Sequence, residues 1–189
     1  MSDGRSQGVT RRGLLGLFAA TALIAAPTYG NAFGLLRGAG DIRRIRMSSA
    51  HTGEAIDLIY WIDGNYVPEA LAEISHFARD YHSNAVKAID PRTIDIAAAA
   101  HRMMDADESY TLLSGYRTAK TNAQLRANTR GVARNSLHMA GQATDLRLKS
   151  RSVTQMAKAA TACAAGGVGR YSKSNFVHMD CGPVRLWGR

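Results

Sequence analysis

Two stretches decide how this chain is read. They are Ser136-Leu137-His138-Met139-Ala140-Gly141-Gln142-Ala143-Thr144-Asp145 and Phe176-Val177-His178-Met179-Asp180. The first sets a carboxylate seven positions after an imidazole. Gly141 between them permits a tight approach of loop to strand. Residues 143–148 read as a strand, with Ala143, Asp145 and Arg147 on one face and Leu146 and Leu148 on the other, toward a core. The second stretch alternates in the same way. Phe176, His178 and Asp180 share one face, while Val177 and Met179 take the opposite one. If the two strands are neighbours, His138, Asp145 and His178 converge. Two imidazoles, one carboxylate and an open fourth position describe a catalytic zinc site. Zinc lowers the pKa of bound water to about 7 and polarises a carbonyl. The bland alternative is a set of polar residues near turns, with no metal between them.

Outward from these stretches the chain reads as α+β. Leu58 to Trp61 is an extended segment and Asp63-Gly64 a turn. Pro68 suits the first position of a helix, whose buried face carries Leu71, Ile74, Phe77, Ala78 and Tyr81. A second helix starts after Asp90-Pro91, with Ile94, Ala97, Ala98, His101 and Met104 inward. Ser109 to Ser114 reads as a strand, Ala123 to Asn128 as a short helix, and Ser152 to Ala165 as a helix stopping at Gly166-Gly167. Helices first and strands later predict one antiparallel sheet flanked by helices. His51 belongs to a loop, His76 and His82 to a helix surface, and His101 to a core stripe; all four have structural explanations.

Residues 1–32 read as an address. Arg11-Arg12 precede an apolar run from Leu14 to Ala26, which is shorter than the roughly 20 residues a membrane span needs. Gly30-Asn31-Ala32 offers small residues for cleavage near Ala32. The arginine pair resembles a twin-arginine signal, which predicts export to the periplasm and no membrane span after cleavage. Residues 33–50 read as a linker, and residues 51–189 as one domain. The net charge is +9, of which the first 32 residues account for +2. A basic exported protein faces anionic envelope polymers, and its cations are scattered, so a nucleic-acid partner drops away. Two cysteines exclude a cysteine-rich zinc cluster. Export allows a Cys163–Cys181 disulfide, whereas twin-arginine export of a folded domain favours free thiols.

Ser114-Gly115-Tyr116-Arg117-Thr118 with Asn122, the two opening stretches, and Gly166-Gly167-Val168-Gly169 occur in an order that resembles the bacterial YcbK-type murein endopeptidases. Those belong with the zinc D,D-peptidases of the M15 clan. The resemblance runs from about His51 to Trp187. It implies a hedgehog/D,D-peptidase α+β fold, one Zn2+, and His138, Asp145 and His178 as its ligands. It implies that Arg117 binds substrate and stabilises an oxyanion, a task suited to a permanently charged fork. Some clan members carry a glutamate base where this chain has Asn175. Asp180 is then the candidate to activate water or to orient a ligand, and a ligand swap between His178 and Asp180 stays open. Thr118, Asn122 and Ser136 are expected to position the peptide, with Phe176 and Trp187 as apolar walls. The activity implied is hydrolysis of peptide cross-links in peptidoglycan. The alternatives are a non-catalytic zinc-stabilised peptidoglycan-binding module and a D-alanyl-D-alanine carboxypeptidase.

Overall fold

The computed structural model describes residues 42–129 and 131–188. The expected export signal, with Arg11-Arg12 and the cut near Ala32, lies outside the described residues. Among the described residues no helix is long and apolar enough to cross a membrane.

One eight-stranded sheet runs through the domain. In chain order its strands are β1 (Ile42–Ser49), β2 (Ala55–Ile62), β3 (Asn65–Tyr66), β4 (Tyr110–Ser114), β5 (Ala143–Arg147), β6 (Gly167–Tyr171), β7 (Phe176–Asp180) and β8 (Arg185–Gly188). The spatial order is β3-β2-β1-β4-β5-β7-β6-β8. The sheet is mixed rather than purely antiparallel, because β1 pairs parallel with β4 and β6 parallel with β8. Two helices separate β1 from β4 in the chain, and such a crossover returns a strand in the same direction. The tight turn after β2 matches its sequence. Asp63 and Gly64 both have positive φ, as a primed hairpin turn requires.

β1 corrects the reading of residues 33–50 as a linker, since Ile42–Ser49 lies inside the sheet between β2 and β4. Its arginines hid the alternation. Ile45 and Met47 are buried, while Arg43 between the outer residues reaches a buried carboxylate.

The helices are α1 (Pro68–Phe77), α2 (Pro91–Met103), α3 (Ala119–Asn128) and α4 (Val153–Ala162). Proline opens both α1 and α2, where its missing N–H costs nothing. Asp90 caps α2 by accepting from the Arg92 amide. Ser152 and Gln155 cap α4 reciprocally. α2 and α4 pack on each other and against β6 and β7. Ile94, Ala97, Met156 and Ala160 thereby meet Leu146, Val177 and Met179 in one core. α1 ends at Phe77, so Tyr81 leaves the expected helix face and lies exposed in the following turn with His82. α4 stops at Ala162, short of the glycines, and Ala164 takes the left-handed turn.

Candidate metal centre

β5 and β7 are antiparallel neighbours, and their register sets Asp145 directly opposite His178. The core takes Leu146 and Val177 from one side of this pair, which leaves Asp145 and His178 on the other. His138 comes from a 3₁₀ turn, Leu137–Ala140, that ends on Gly141 at φ 71°. A side chain on Gly141 would lie 2.3 Å from the Ala88 carbonyl oxygen. Gly115 is constrained likewise, since a Cβ there would meet the Ala78 oxygen at 2.4 Å. The Gly115 carbonyl can thus reach His138.

Hydrogen bonds fix which ring nitrogens face inward. His138 Nδ1 lies 2.6 Å from the Gly115 oxygen, and a carbonyl only accepts, so Nδ1 carries the proton. His138 Nε2 then presents a lone pair, 3.2 Å from His178 Nδ1 and 3.3 Å from Asp145 Oδ1. His178 donates from Nε2 to Asp180 Oδ2 at 2.9 Å, which turns its Nδ1 toward Asp145 Oδ1, also 2.9 Å away. One ligand atom from each of His138, Asp145 and His178 lies within 4.8 Å of the others. Such converging atoms are held together by a shared proton or by a cation, and this nitrogen and oxygen set suits zinc.

The electrostatics agree. Burial alone would raise the Asp145 pKa, yet His138 and His178 hold it far below the ordinary carboxylate range. Burial would lower His178, but its hydrogen bonds to Asp145 and Asp180 push it up to about 9. A metal ion held by His178 would take the place of that second proton. Burial keeps His138 low despite Asp145, which preserves its lone pair.

Asp180 has a supporting place. It is fully buried, and Oδ1 accepts from the Gly167 amide at 3.1 Å and the Gly182 amide at 2.9 Å. Arg185 grips both of its oxygens, at 3.0 and 2.7 Å. Burial would raise its pKa, but His178 and Arg185 hold it down to about 2. Both oxygens are thus engaged away from solvent, so the geometry fits an orienting carboxylate behind His178 rather than a proton carrier. The glycines of residues 166–169 make room for this support. A Cβ on Gly166 would lie 1.7 Å from the Asp180 carbonyl oxygen, and one on Gly169 would lie 2.7 Å from the Trp187 ring. Arg185 escaped the sequence reading because its partner is identified only by the return of β8 beside β6.

Arg117 donates from Nη2 to Asp145 Oδ2 at 2.9 Å and from Nε to Ser114 at 2.8 Å. It lines a cleft of about 620 Å³ together with Ser136, His138, Asp145 and His178. Phe176 and Trp187 form one wall of that cleft: Phe176 stacks on Tyr171 at 4.5 Å, and the Trp187 ring lies 5.2 Å from that of His178. Thr118 and Asn122 are not at the cleft surface. Thr118 caps α3 and gives its hydroxyl to Asp80, while Asn122 is buried and donates to the Ala133 carbonyl, tying down the loop before Ser136. Asn175, exposed at φ 53°, ends the β6–β7 turn. Cys163 and Cys181 are both free thiols.

The chain is similar to known proteins over most of its length. Peptidoglycan L,D-endopeptidase MepK of Escherichia coli K12 is 41% identical over 145 residues, covering 77% of this chain and 80% of its own. The protein of the same name from Shigella flexneri gives the same figures. A probable peptidoglycan L,D-endopeptidase MepK of Haemophilus influenzae is 32% identical over 146 residues, 77% of this chain and 78% of its own. The M15 peptidase model described as peptidoglycan L,D-endopeptidase MepK matches residues 37–187, a span that holds every residue of the His138–Asp145–His178 centre and its Asp180–Arg185 support, and the chain belongs to that family.

Proposed function

We propose that this chain is a zinc-dependent peptidoglycan endopeptidase that hydrolyses L,D peptide cross-links in the periplasm. The carrying observation is the convergence of His138 Nε2, Asp145 Oδ1 and His178 Nδ1 at the floor of a cleft walled by Arg117. Zinc held by these three residues would supply a Lewis acid for the scissile carbonyl and lower the pKa of water. Arg117 carries five N–H donors, and Ser114 and Asp145 occupy two of its nitrogens. Its remaining donors suit the carbonyl oxygen as negative charge develops there. Asp180 keeps the proton on His178 Nε2 and so keeps Nδ1 available. Ser136 and the aromatic wall of Phe176 and Trp187 line the cleft and would flank the peptide. The relatives' L,D designation is the support for that bond type. Arg11-Arg12 and the apolar run after them are the support for twin-arginine export.

One observation favours a second reading. Asn175 cannot accept a proton, and it stands where some clan members carry the glutamate base, as a non-catalytic zinc-stabilised module would allow. One experiment separates the two. Mature protein is incubated with cross-linked muropeptides, with and without a chelator, beside His138→Ala. Endopeptidase action predicts cleavage that vanishes in both controls. Stoichiometric zinc without cleavage of any muropeptide selects the binding module. Lysines in place of Arg11 and Arg12 are expected to retain the precursor in the cytoplasm, as fractionation would read.

A further inference from the structure

Three aromatic rings form a row at the rim of the cleft, and neither the core nor the metal centre uses them. The His51 and Tyr81 ring centroids are 3.9 Å apart at 10° between planes, and those of Tyr81 and His82 are 4.1 Å apart at 34°. All three residues are exposed. Exposed stacked rings are unusual cargo for a turn, because stacking covers their facing sides and leaves the outer faces and edges in water.

The row is held in place from beneath. Arg79 reaches Glu54 with two nitrogens, at 2.9 and 3.1 Å, and so ties the turn carrying His51 to the turn carrying Tyr81. Asp80 is buried and accepts from the His82 amide at 3.0 Å and from the Thr118 amide and hydroxyl at 2.8 Å each. His51 Nε2 lies 3.1 Å from the Leu113 carbonyl oxygen on β4. The shelf is therefore anchored to the segment that also carries Arg117. It is also continuous with the cleft, since Tyr81 and His82 line both.

We propose that His51, Tyr81 and His82 form a binding shelf for sugar rings of the peptidoglycan glycan strand, next to the peptide cleft. This rests on the peptidoglycan reading above. A peptide seated in the cleft leads at one end to an N-acetylated amino sugar, and the occupant of the rim must be continuous with the occupant of the cleft. Tyr81 is sandwiched between the two imidazoles, so the ring faces left for a ligand are the outer ones of His51 and His82, and a pyranose with equatorial substituents presents a flat face of C–H groups that packs on such a ring face. The imidazole nitrogens at the ring edges suit its hydroxyl and acetamido groups, while Tyr81 holds the two imidazoles apart by stacking between them. The shelf makes the enzyme prefer peptides still attached to glycan.

The test uses full-length mature protein with two probes that separate sugar from peptide. Peptide-free glycan strands are titrated against wild type, Tyr81→Ala, Tyr81→Phe and His51→Ala. Cleavage is compared between cross-linked muropeptide dimers bearing disaccharides and the same dimers stripped of sugar. The shelf predicts glycan binding by wild type and Tyr81→Phe, and about tenfold weaker binding by Tyr81→Ala, a loss of about 1.4 kcal/mol. It also predicts that His51→Ala loses the preference for sugar-bearing over sugar-free dimers. Wild type that binds no glycan strand, or equal affinity in Tyr81→Ala, overturns the shelf, as does a preference unchanged in His51→Ala. Capture of a protein partner by the same face in the absence of glycan binding overturns it too. Failure to cleave either dimer defeats the endopeptidase reading instead, while glycan binding remains separately measurable.

Discussion

Two buried carboxylates in this domain have opposite surroundings. Asp95, on α2, is wholly buried and meets only donors: Arg43 at 2.8 Å, the Tyr60 hydroxyl at 3.0 Å and the Tyr66 hydroxyl at 2.6 Å. The Trp61 ring covers the Arg43 guanidinium at 3.9 Å. Asp145, on β5, faces one arginine and the inward ring nitrogens of two histidines at the floor of a cleft. The first set consists of fixed donors, whereas the second includes two imidazoles whose inward nitrogens can carry a proton or hold a metal. A closed carboxylate knot ties α2 to β1, β2 and β3, whereas an open one is a place for a cation. Burial pushes the Asp95 pKa up despite Tyr66 and Arg43, while the imidazoles hold Asp145 down. Burial alone therefore does not mark a functional acid; the sign of its neighbours and access to a cleft do.

The sharpest way to break this contrast is to remove each carboxylate in turn. Asp145→Ala is expected to reduce muropeptide cleavage to background and to abolish metal retention, read by assay and by metal content after desalting. Asp95→Ala is expected to cost about 3–5 kcal/mol of stability in denaturant melts, because it strands a buried arginine. Its cleavage rate per folded molecule should stay near wild type. If Asp95→Ala instead removes activity without loss of stability, the division between knot and site is wrong.

A smaller effect tests the support behind the centre. Arg185→Ala frees both oxygens of Asp180 and should weaken zinc affinity by about 10–100-fold in competition with a chromophoric chelator. Its thermal midpoint in the metal-free form should move much less than that of Asp95→Ala, since Arg185 is partly exposed. Equal zinc affinity would show that His178 is oriented without Asp180's help.

The smallest effect concerns a third acid, Asp80, beneath the aromatic shelf. Burial alone would raise its pKa, but Thr121, Thr118 and the His82 amide hold it down to about 2. A depressed carboxylate stabilises the fold above its unfolded pKa, and that stability disappears as pH falls through about 2. Asp80→Asn should therefore lower stability at neutral pH by up to about 2 kcal/mol and flatten the acid limb of the stability curve between roughly pH 4 and 2. A parallel curve for wild type and variant would sever Asp80 from that limb.

Legibility followed local pattern. The alternation in 143–148 and 176–180 placed Asp145 and His178 correctly because each strand has one core face, and a period of two leaves no third choice. Pro68 and Pro91 marked two helix starts because their chemistry is local. β6 was missed because Gly167-Val168-Gly169 reads as a turn. Those glycines serve Asp180 and Trp187, which approach from strands further along the chain. The expectation that Tyr81 is buried failed because α1 ends earlier, where the Ala78 carbonyl is taken by the Tyr116 amide.

The sequence by itself determined the faces of two strands, two proline-led helix starts and the identity of three convergent donors. Only the tertiary structure showed that Asp180 lies off the cleft lining in the grip of His178 and Arg185, and that Thr118 and Asn122 are bonded to Asp80 and to the Ala133 carbonyl. It also decided that Asp95 closes a knot with Arg43, Tyr60 and Tyr66. The reason is physical. Side-chain direction within a strand follows from neighbouring residues, but whether a polar atom is satisfied depends on donors supplied from dozens of residues away. That census exists only once the sheet has closed.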